Sequence, residues 1–414
     1  MRILLLNQTF YPDVVSTAQH AADLASDLAD AGHEVTVVAS RRAYDSPSHL
    51  FSARESLHNL NILRVPSTAL GKSALWRRAV DFSSFLVALM VRLAFLPPFD
   101  VVVAMTSPPL IAVVAALFVR VKGGALISWI MDLNPDEAIA AGALRQNSIL
   151  ASSLSRLLRF SLSTSSGVVV LDRFMRDRVE AKGVPASHIA LLPPWAHSSA
   201  VHYNPHGRDR FRALHGLTGK FVVMYSGNHS PCHPLDTILR AAHAMRAEPD
   251  LAFVFVGGGS EFRKVVDFAA LHSLNNVLCL PYQPLQTLAD SLSAADLHLV
   301  VMGDPFVGVV HPCKIYNILA IGSPCLYIGP FPSHITEIAA SLPPSTISCA
   351  SHGDVSSVMD HIRRAAILGP RRCPANADLA QQFTSSSVVT RMISVIEDAG
   401  QLAGQRLPAA AVLS

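Results

Sequence analysis

Charge is scarce in this chain of 414 residues: 15% are Asp, Glu, Lys or Arg, the formal net charge is +3, and no long Lys/Arg block occurs. Nucleic-acid binding needs a basic patch or stripe, so that class of partner is excluded. Cysteine is sparse as well. Cys232, Cys279, Cys313, Cys325, Cys349 and Cys373 include no CxxC pair, and a chain this long needs no staples, which points to reduced thiols in a cytoplasmic protein. Unbroken apolar runs of membrane length are also missing. Asn7-Gln8 interrupts the apolar start Met1–Leu6, leaving it too short for a signal peptide and suited to a first buried strand. Val101–Val119 carries no charge over 19 residues, but Ser107-Pro108-Pro109 cuts it into a strand and a helix rather than a span.

What is present is apolar mass. Half the residues are hydrophobic, enough for a large core, and the length suggests two or three domains. Short apolar runs alternate with helical patterns through the first half. Strands are expected near 2–6, 34–39, 99–105, 125–130 and 166–171, and helices near 17–31, 74–96, 109–121, 148–163 and 172–182. Such alternation predicts a parallel sheet covered on both faces. The polar stretch His197–Arg212 reads as a linker, after which the pattern restarts: strands 221–226, 252–256 and 276–280, helices 234–247, 260–272 and 285–293, then strand, helix and strand over 297–328. The fold class is therefore α/β, with two doubly wound, Rossmann-like domains facing a cleft. Expected boundaries are 1–196, a linker at 197–214, a second domain at 215–378, a helix at 379–400 packing back across both, and a loose tail at 401–414. Ligands are expected at the carboxyl ends of the strands.

One segment carries chemistry on its face. In Gly308-Val309-Val310-His311-Pro312-Cys313-Lys314-Ile315-Tyr316-Asn317, a Pro suited to the first helical turn leaves the N–H groups of Cys313 and Lys314 free beside an ammonium. That arrangement suits an anion, a diphosphate above all; an ordinary crossover helix is the alternative. Cys232-His233 and His311-x-Cys313 are a zinc set in kind, but without zinc-finger spacing, and no metal is expected. Lys72, Trp76, Arg77 and Arg78 lead into the apolar stretch Phe85–Phe95. Cations and an aromatic beside an apolar helix suit a bilayer surface, and equally a core helix with a solvated basic end.

Tyr225-Ser226-Gly227-Asn228, Val254-Phe255-Val256-Gly257-Gly258-Gly259-Ser260-Glu261, Leu280-Pro281-Tyr282-Gln283-Pro284 with Ser293-Ala294-Ala295-Asp296, and Lys314–Ala320 occur in that order. In order and spacing the chain resembles a family 4 glycosyltransferase of the GT-B fold, especially the polysaccharide and O-antigen branch. The resemblance implies a donor half at the C-terminus and an acceptor half at the N-terminus. It implies a sugar moved from a UDP- or GDP-linked donor to a glycan or lipid-linked glycan, with retention and with no metal or other cofactor. Gly227 and Asn228 would lie beside the diphosphate, Gly257, Gly258 and Gly259 would admit the nucleotide, and main-chain groups at Pro281 and Tyr282 would face the base. Lys314 and the helix start at 312–320 would stabilise the departing diphosphate, with His311 and Cys313 as phosphate contacts or plain packing. Asp132, in Met131-Asp132-Leu133-Asn134-Pro135-Asp136, would touch the acceptor hydroxyl or else hold its loop; Ser16 or Thr17 would cap the first helix.

Departures stand beside these matches. Many members carry an Arg and a Lys where this chain has Asn228 and His233, leaving His233 as a phosphate donor, a better one if protonated. Many also carry two glutamates where Val309 and Asn317 stand, leaving Asn317 for the ribose. A sugar-nucleotide 2-epimerase of the same fold and a non-catalytic nucleotide-sugar-binding subunit are the competing readings. The protein is expected in the cytoplasm, with contact to the inner membrane face through residues 72–96.

Overall fold

The computed structural model describes residues 1–13, 15–44, 48–57, 60–71, 75–196, 201–373 and 383–406. Contacts divide the chain into two compact units: Met1–Pro193 with Gly308–His311 and the chain from Val388, and Pro194–Val307 with Pro312–Ser387.

In the first unit, β1 (Arg2–Leu6), β2 (Glu34–Ser40), β3 (Arg54–Leu57), β4 (Leu60–Val65), β5 (Val101–Ala104), β6 (Ala125–Trp129), β7 (Gly167–Val170) and β8 (Ile189–Leu191) form one sheet. Its order is β3-β4-β2-β1-β5-β6-β7-β8, parallel throughout except for the antiparallel β3–β4 pair. Side chains of β5, β6 and β7 are buried on both faces, which is why these strands read as continuous apolar runs rather than alternating ones. Helices α1 (Ser16–Asp30), α2 (Leu75–Ala94), α3 (Ile111–Lys122), α4 (Asp136–Ala140), α5 (Ile149–Thr164) and α6 (Arg173–Glu180) connect the strands. Phe85, Leu89 and Leu93 of α2 recur at helical spacing and pack with Ile111, Ala115 and Phe118 of α3. Ser16 is not a cap: Val15 holds that position without a side-chain bond, and Ser16 Oγ lies 3.2 Å from His20 Nδ1.

In the second unit, β9 (Phe221–Asn228), β10 (Leu251–Gly258), β11 (Val277–Leu280), β12 (Leu297–Val301), β13 (Cys325–Ile328) and β14 (Ile347–Ala350) pair in parallel in the order β11-β10-β9-β12-β13-β14. Helices α7 (Pro205–Leu214), α8 (Asp236–Ala244), α9 (Phe262–Leu271), α10 (Leu288–Ser293), α11 (Lys314–Ala320), α12 (His334–Ala340) and α13 (Val355–Leu368) accompany them.

The expected linker is a correction. Residues 197–200 of it lie outside the described residues, but Pro205–Leu214 is a helix, opened by the Asn204 side chain, which accepts from the Gly207 N–H at 3.0 Å. Its Arg208 meets Asp296 Oδ1 at 2.6 Å, Arg212 meets the other carboxylate oxygen, and the Val222 N–H donates to Asp296 at 2.8 Å. Asp296 is buried and fully engaged, so the polar face that looked like a spacer is a clamp on the second unit.

The last helix, α14 (Ser385–Arg406), begins later and runs further than expected. Residues 379–382 and 407–414 lie outside the described residues, and 401–406 are helical rather than loose. From Val388 onward it belongs to the first unit, burying Val389, Met392 and Ile396 and joining Glu397 to His33 at 3.1 Å. Among the described residues, no helix is long and apolar enough to cross a membrane.

Candidate functional site

In the second unit the site is built where β9 and β10 end side by side. The two strands run in register up to the pairs Gly257–Gly227 and Gly258–Asn228. Gly227 and Gly257 both have φ 136°, a conformation natural only to glycine, and a Cβ on Gly257 would collide with the Gly227 carbonyl oxygen. The two turns thus lie back to back with bare backbone at their tips. Tyr282 covers the second turn: its hydroxyl donates to the Gly258 carbonyl at 3.3 Å, and its half-exposed ring lies against Gly258. The side chain of Tyr282, and not only the main chain around Pro281, is therefore part of the site.

Lys314 reaches this place from α11. A Cβ on Gly227 would lie 3.5 Å from its Nζ, and Nζ sits 3.4 Å from the centre of the Tyr225 ring. The ammonium is buried and has no hydrogen-bond partner among the described residues. Burial pulls its pKa down to about 7, offset only in part by the neighbouring thiols of Cys313 and Cys325. A buried cation without a carboxylate is costly, and an anionic ligand would relieve that cost.

The helix itself starts later than the sequence suggests. Lys314 is its first residue and Cys313 its N-cap, so Pro312 lies outside it. The N–H groups of Ile315 and Tyr316 turn back onto the carbonyls of Pro312 and Cys313, at 3.3 and 3.2 Å. Asn317 lies on this helix, half-buried, with its backbone carbonyl taken by Ile321.

Two histidines flank the lysine. His233 Nδ1 donates to the Val301 carbonyl at 2.7 Å, and burial, then Lys314, lowers its pKa to about 3. The reading of His233 as a phosphate donor is corrected: a neutral ring whose Nδ1–H is already used presents only a lone pair at Nε2. His229, which sequence reasoning missed, donates from Nδ1 to the Gly227 carbonyl at 3.0 Å, and its backbone N–H donates to Gly258 at 2.8 Å. Its ring meets Tyr225 and Phe262 edge-on at 4.8 and 4.9 Å. Burial and then Lys314 bring it to about 4, and its buried Nε2 has no hydrogen-bond partner among the described residues. The adjoining Gly227-Asn228 was the only signal in the sequence that could have pointed to it.

His311 is a second correction. It belongs to the first unit, where its Nδ1 donates to Asp172 Oδ2 at 2.7 Å, both groups being buried. Asp172 also caps α6 by accepting from the Met175 N–H at 2.8 Å. Val309 is buried in the same segment, its carbonyl accepting from Leu133 at 2.8 Å. The residues His311 and Val309 hold that segment in place; of the expected phosphate run, Pro312 to Asn317 lie with the glycine turns' unit.

Asp132 follows β6 in the first unit. Its N–H donates to Thr106 Oγ1 at 3.3 Å, and the residue lines a largely apolar pocket with Pro108, Trp129, Leu158 and Leu162. Burial, with Glu137 as a lesser cause, raises its pKa to about 8. It is a carboxyl able to take or give a proton near neutrality.

Residues 17–195 match the glycosyl transferase 4-like domain family. The chain is a glycosyltransferase. Across 409 residues it is 23% identical to WcaI of Escherichia coli (strain K12), named as a colanic acid biosynthesis glycosyl transferase, covering 96% of this chain and all of that one. WbjE of Pseudomonas aeruginosa, named as a glycosyltransferase, is 27% identical over 243 residues, which is 58% of this chain and 60% of its own. In fold, the glycosyltransferase superposes on the crystal structure of Anabaena Alr3699/HepE in complex with UDP-glucose with a TM-score of 0.72. That alignment has 14% identity and covers 96% of this chain and 100% of the other. The glycosyltransferase has the GT-B fold, with its two parallel sheets.

Proposed function

We propose that the glycosyltransferase moves a sugar from a UDP- or GDP-linked donor to a glycan or lipid-linked glycan in cell-surface polysaccharide biosynthesis, in the cytoplasm. The observation that carries this is Lys314: a buried ammonium beside bare glycine turns, with no hydrogen-bond partner among the described residues. One relative named for colanic acid biosynthesis, and a shared fold with a protein crystallised with UDP-glucose, support the same reading.

In this reading the bond between the anomeric carbon and the diphosphate oxygen breaks, and its electron pair leaves with the diphosphate. Lys314 neutralises that charge at a fixed distance, with little reorganisation as the charge develops. A protein cation in this position supplies what a divalent metal would, which favours a metal-independent reaction. The acceptor oxygen takes the vacated carbon on the same face, giving retention, while its proton passes to the departing diphosphate oxygen, and Asp132 contacts the acceptor hydroxyl. Neutral His233 accepts from a donor hydroxyl, Asn317 bonds the ribose, and the Tyr282 ring lies against the base.

Incubating the purified protein with a panel of UDP- and GDP-sugars, with and without EDTA, tests this. Release of nucleoside diphosphate that persists in EDTA is expected, and NMR of the product should show the donor's anomeric configuration. Failure of every nucleotide and nucleotide sugar to bind would sink the reading.

A further inference from the structure

The outer faces of α2, α3 and α5 carry an unusual surface. In α2 one side packs into the core through Phe85, Leu89 and Leu93, yet the opposite side is also apolar. Trp76, Val80, Val87, Val91 and Phe95 line it at helical spacing, from 41% to 81% exposed. Leu117 and Val121 of α3 and Leu150 and Leu157 of α5 are exposed in the same way, and α3 packs with both α2 and α5. A helix in water is expected to turn such a stripe inward; three adjacent helices that do not are marked for a partner.

The charges on these helices say which kind. Arg77, Arg78 and Arg92 lie on α2, Arg120 and Lys122 on α3, and Arg156 and Arg159 on α5, against the single acid Asp81. Asp81 is occupied by Thr68, Leu70 and Gly71. Arg78 and Arg120 rest on the rings of Phe82 and Phe160, and Lys122 donates to the Ala94 carbonyl at 3.4 Å, so these cations are not spent on carboxylates. Apolar side chains with a surplus of cations and an interfacial Trp are what an anionic bilayer surface binds.

We infer that the α2–α3–α5 face docks the protein on an anionic phospholipid bilayer, with Trp76 and Phe95 entering the headgroup region. This surface is separate from the donor site and is read without nucleotide. The chain offers its own probe. Of its three tryptophans, Trp129 and Trp195 are buried and Trp76 is 60% exposed, so lipid contact is reported by one residue.

The test uses the full chain with vesicles of phosphatidylcholine alone or mixed with phosphatidylglycerol. Co-sedimentation with the mixed vesicles only, loss of binding in high salt, and quenching of tryptophan emission by brominated lipid are expected, with quenching absent in Trp76→Phe. Arg77→Glu/Arg78→Glu and Arg156→Glu/Arg159→Glu, each checked for native circular dichroism, should each lower the partition coefficient roughly tenfold or more. No binding to the mixed vesicles, equal binding to both kinds, or binding untouched by either folded double variant overturns the inference. So does a concentration-dependent dimer in sedimentation velocity that buries Trp76 while vesicles stay bare, since the face would then belong to a second copy.

Discussion

Replacing Lys314 by Met should separate stability from binding in opposite directions. The pKa of about 7 corresponds to roughly 5 kcal/mol against the charged form. For a base whose folded pKa is depressed, the unfolded state binds more protons between about 7 and the ordinary lysine value. Unfolding free energy then rises with pH across that window, and the cost is fully present below it. Lys314→Met removes the cost without orphaning a carboxylate, so near neutral pH the unliganded variant should be more stable than the parent by up to several kcal/mol, less whatever the altered packing takes back. Nucleoside diphosphate affinity should fall, because a charge-assisted contact worth roughly 2–3 kcal/mol is lost, about 30- to 150-fold in Kd. Calorimetry in buffers of different ionisation enthalpy gives a second readout. The parent should take up about half a proton on binding at pH 7 and close to one at pH 8, while the variant takes up none from this source. A folded variant that binds UDP and GDP as tightly as the parent, or a parent that binds with no proton uptake, would refute the assignment of Lys314 to the phosphates.

Asp132→Asn should abolish transfer while leaving diphosphate binding intact. Because the carboxyl is raised to about 8, the parent's stability should decline as pH climbs from the ordinary carboxylate range through 8, and urea titrations of the variant should show a flatter profile. Gly257→Ala forces a side chain into the Gly227 carbonyl at φ 136°; a loss of about 2–4 kcal/mol in thermal unfolding is expected, against little change for a residue added at an open exposed turn. Asp296→Ala leaves Arg208 and Arg212 facing each other without their carboxylate and should cost about 3–5 kcal/mol, read by denaturant melts.

Much of the fold was legible because buried parallel strands are short unbroken apolar runs. Val101–Ala104 and Leu297–Val301 carry that signal alone. Arg54–Leu57 does not: half-exposed and at the sheet edge, it carries two adjacent charges, a serine and a single apolar residue, and looks like a loop. Pro205–Leu214 was hidden for a different reason, since its Arg208 and Arg212 are held by Asp296, a residue more than eighty positions away, and no local periodicity shows that. The same limit governs the site. A lysine at a helix start leaves a local trace, so Lys314 could be singled out from its own segment, whereas Gly227 and Gly257 are singled out through the order of motifs in the resemblance. The commitment of His311 to Asp172 is tertiary, as is the low proton affinity of His233, set by burial and by Lys314. Neither could be inferred from neighbours in the chain.

The closing helix α14 also bears on how this protein can be dissected. Val388, Val389, Met392, Ile396 and Ala399 are buried, and Gly400 lies so close to Met1 and Val101 that a methyl group there would have to displace them. The first and last segments of the polypeptide are thus mutual wallpaper for one hydrophobic interior. A recombinant fragment stopping near residue 195, however natural that border looks in the amino-acid string, would leave this interior uncovered and is expected to aggregate; a soluble version would require residues 388–406 grafted back or supplied in trans.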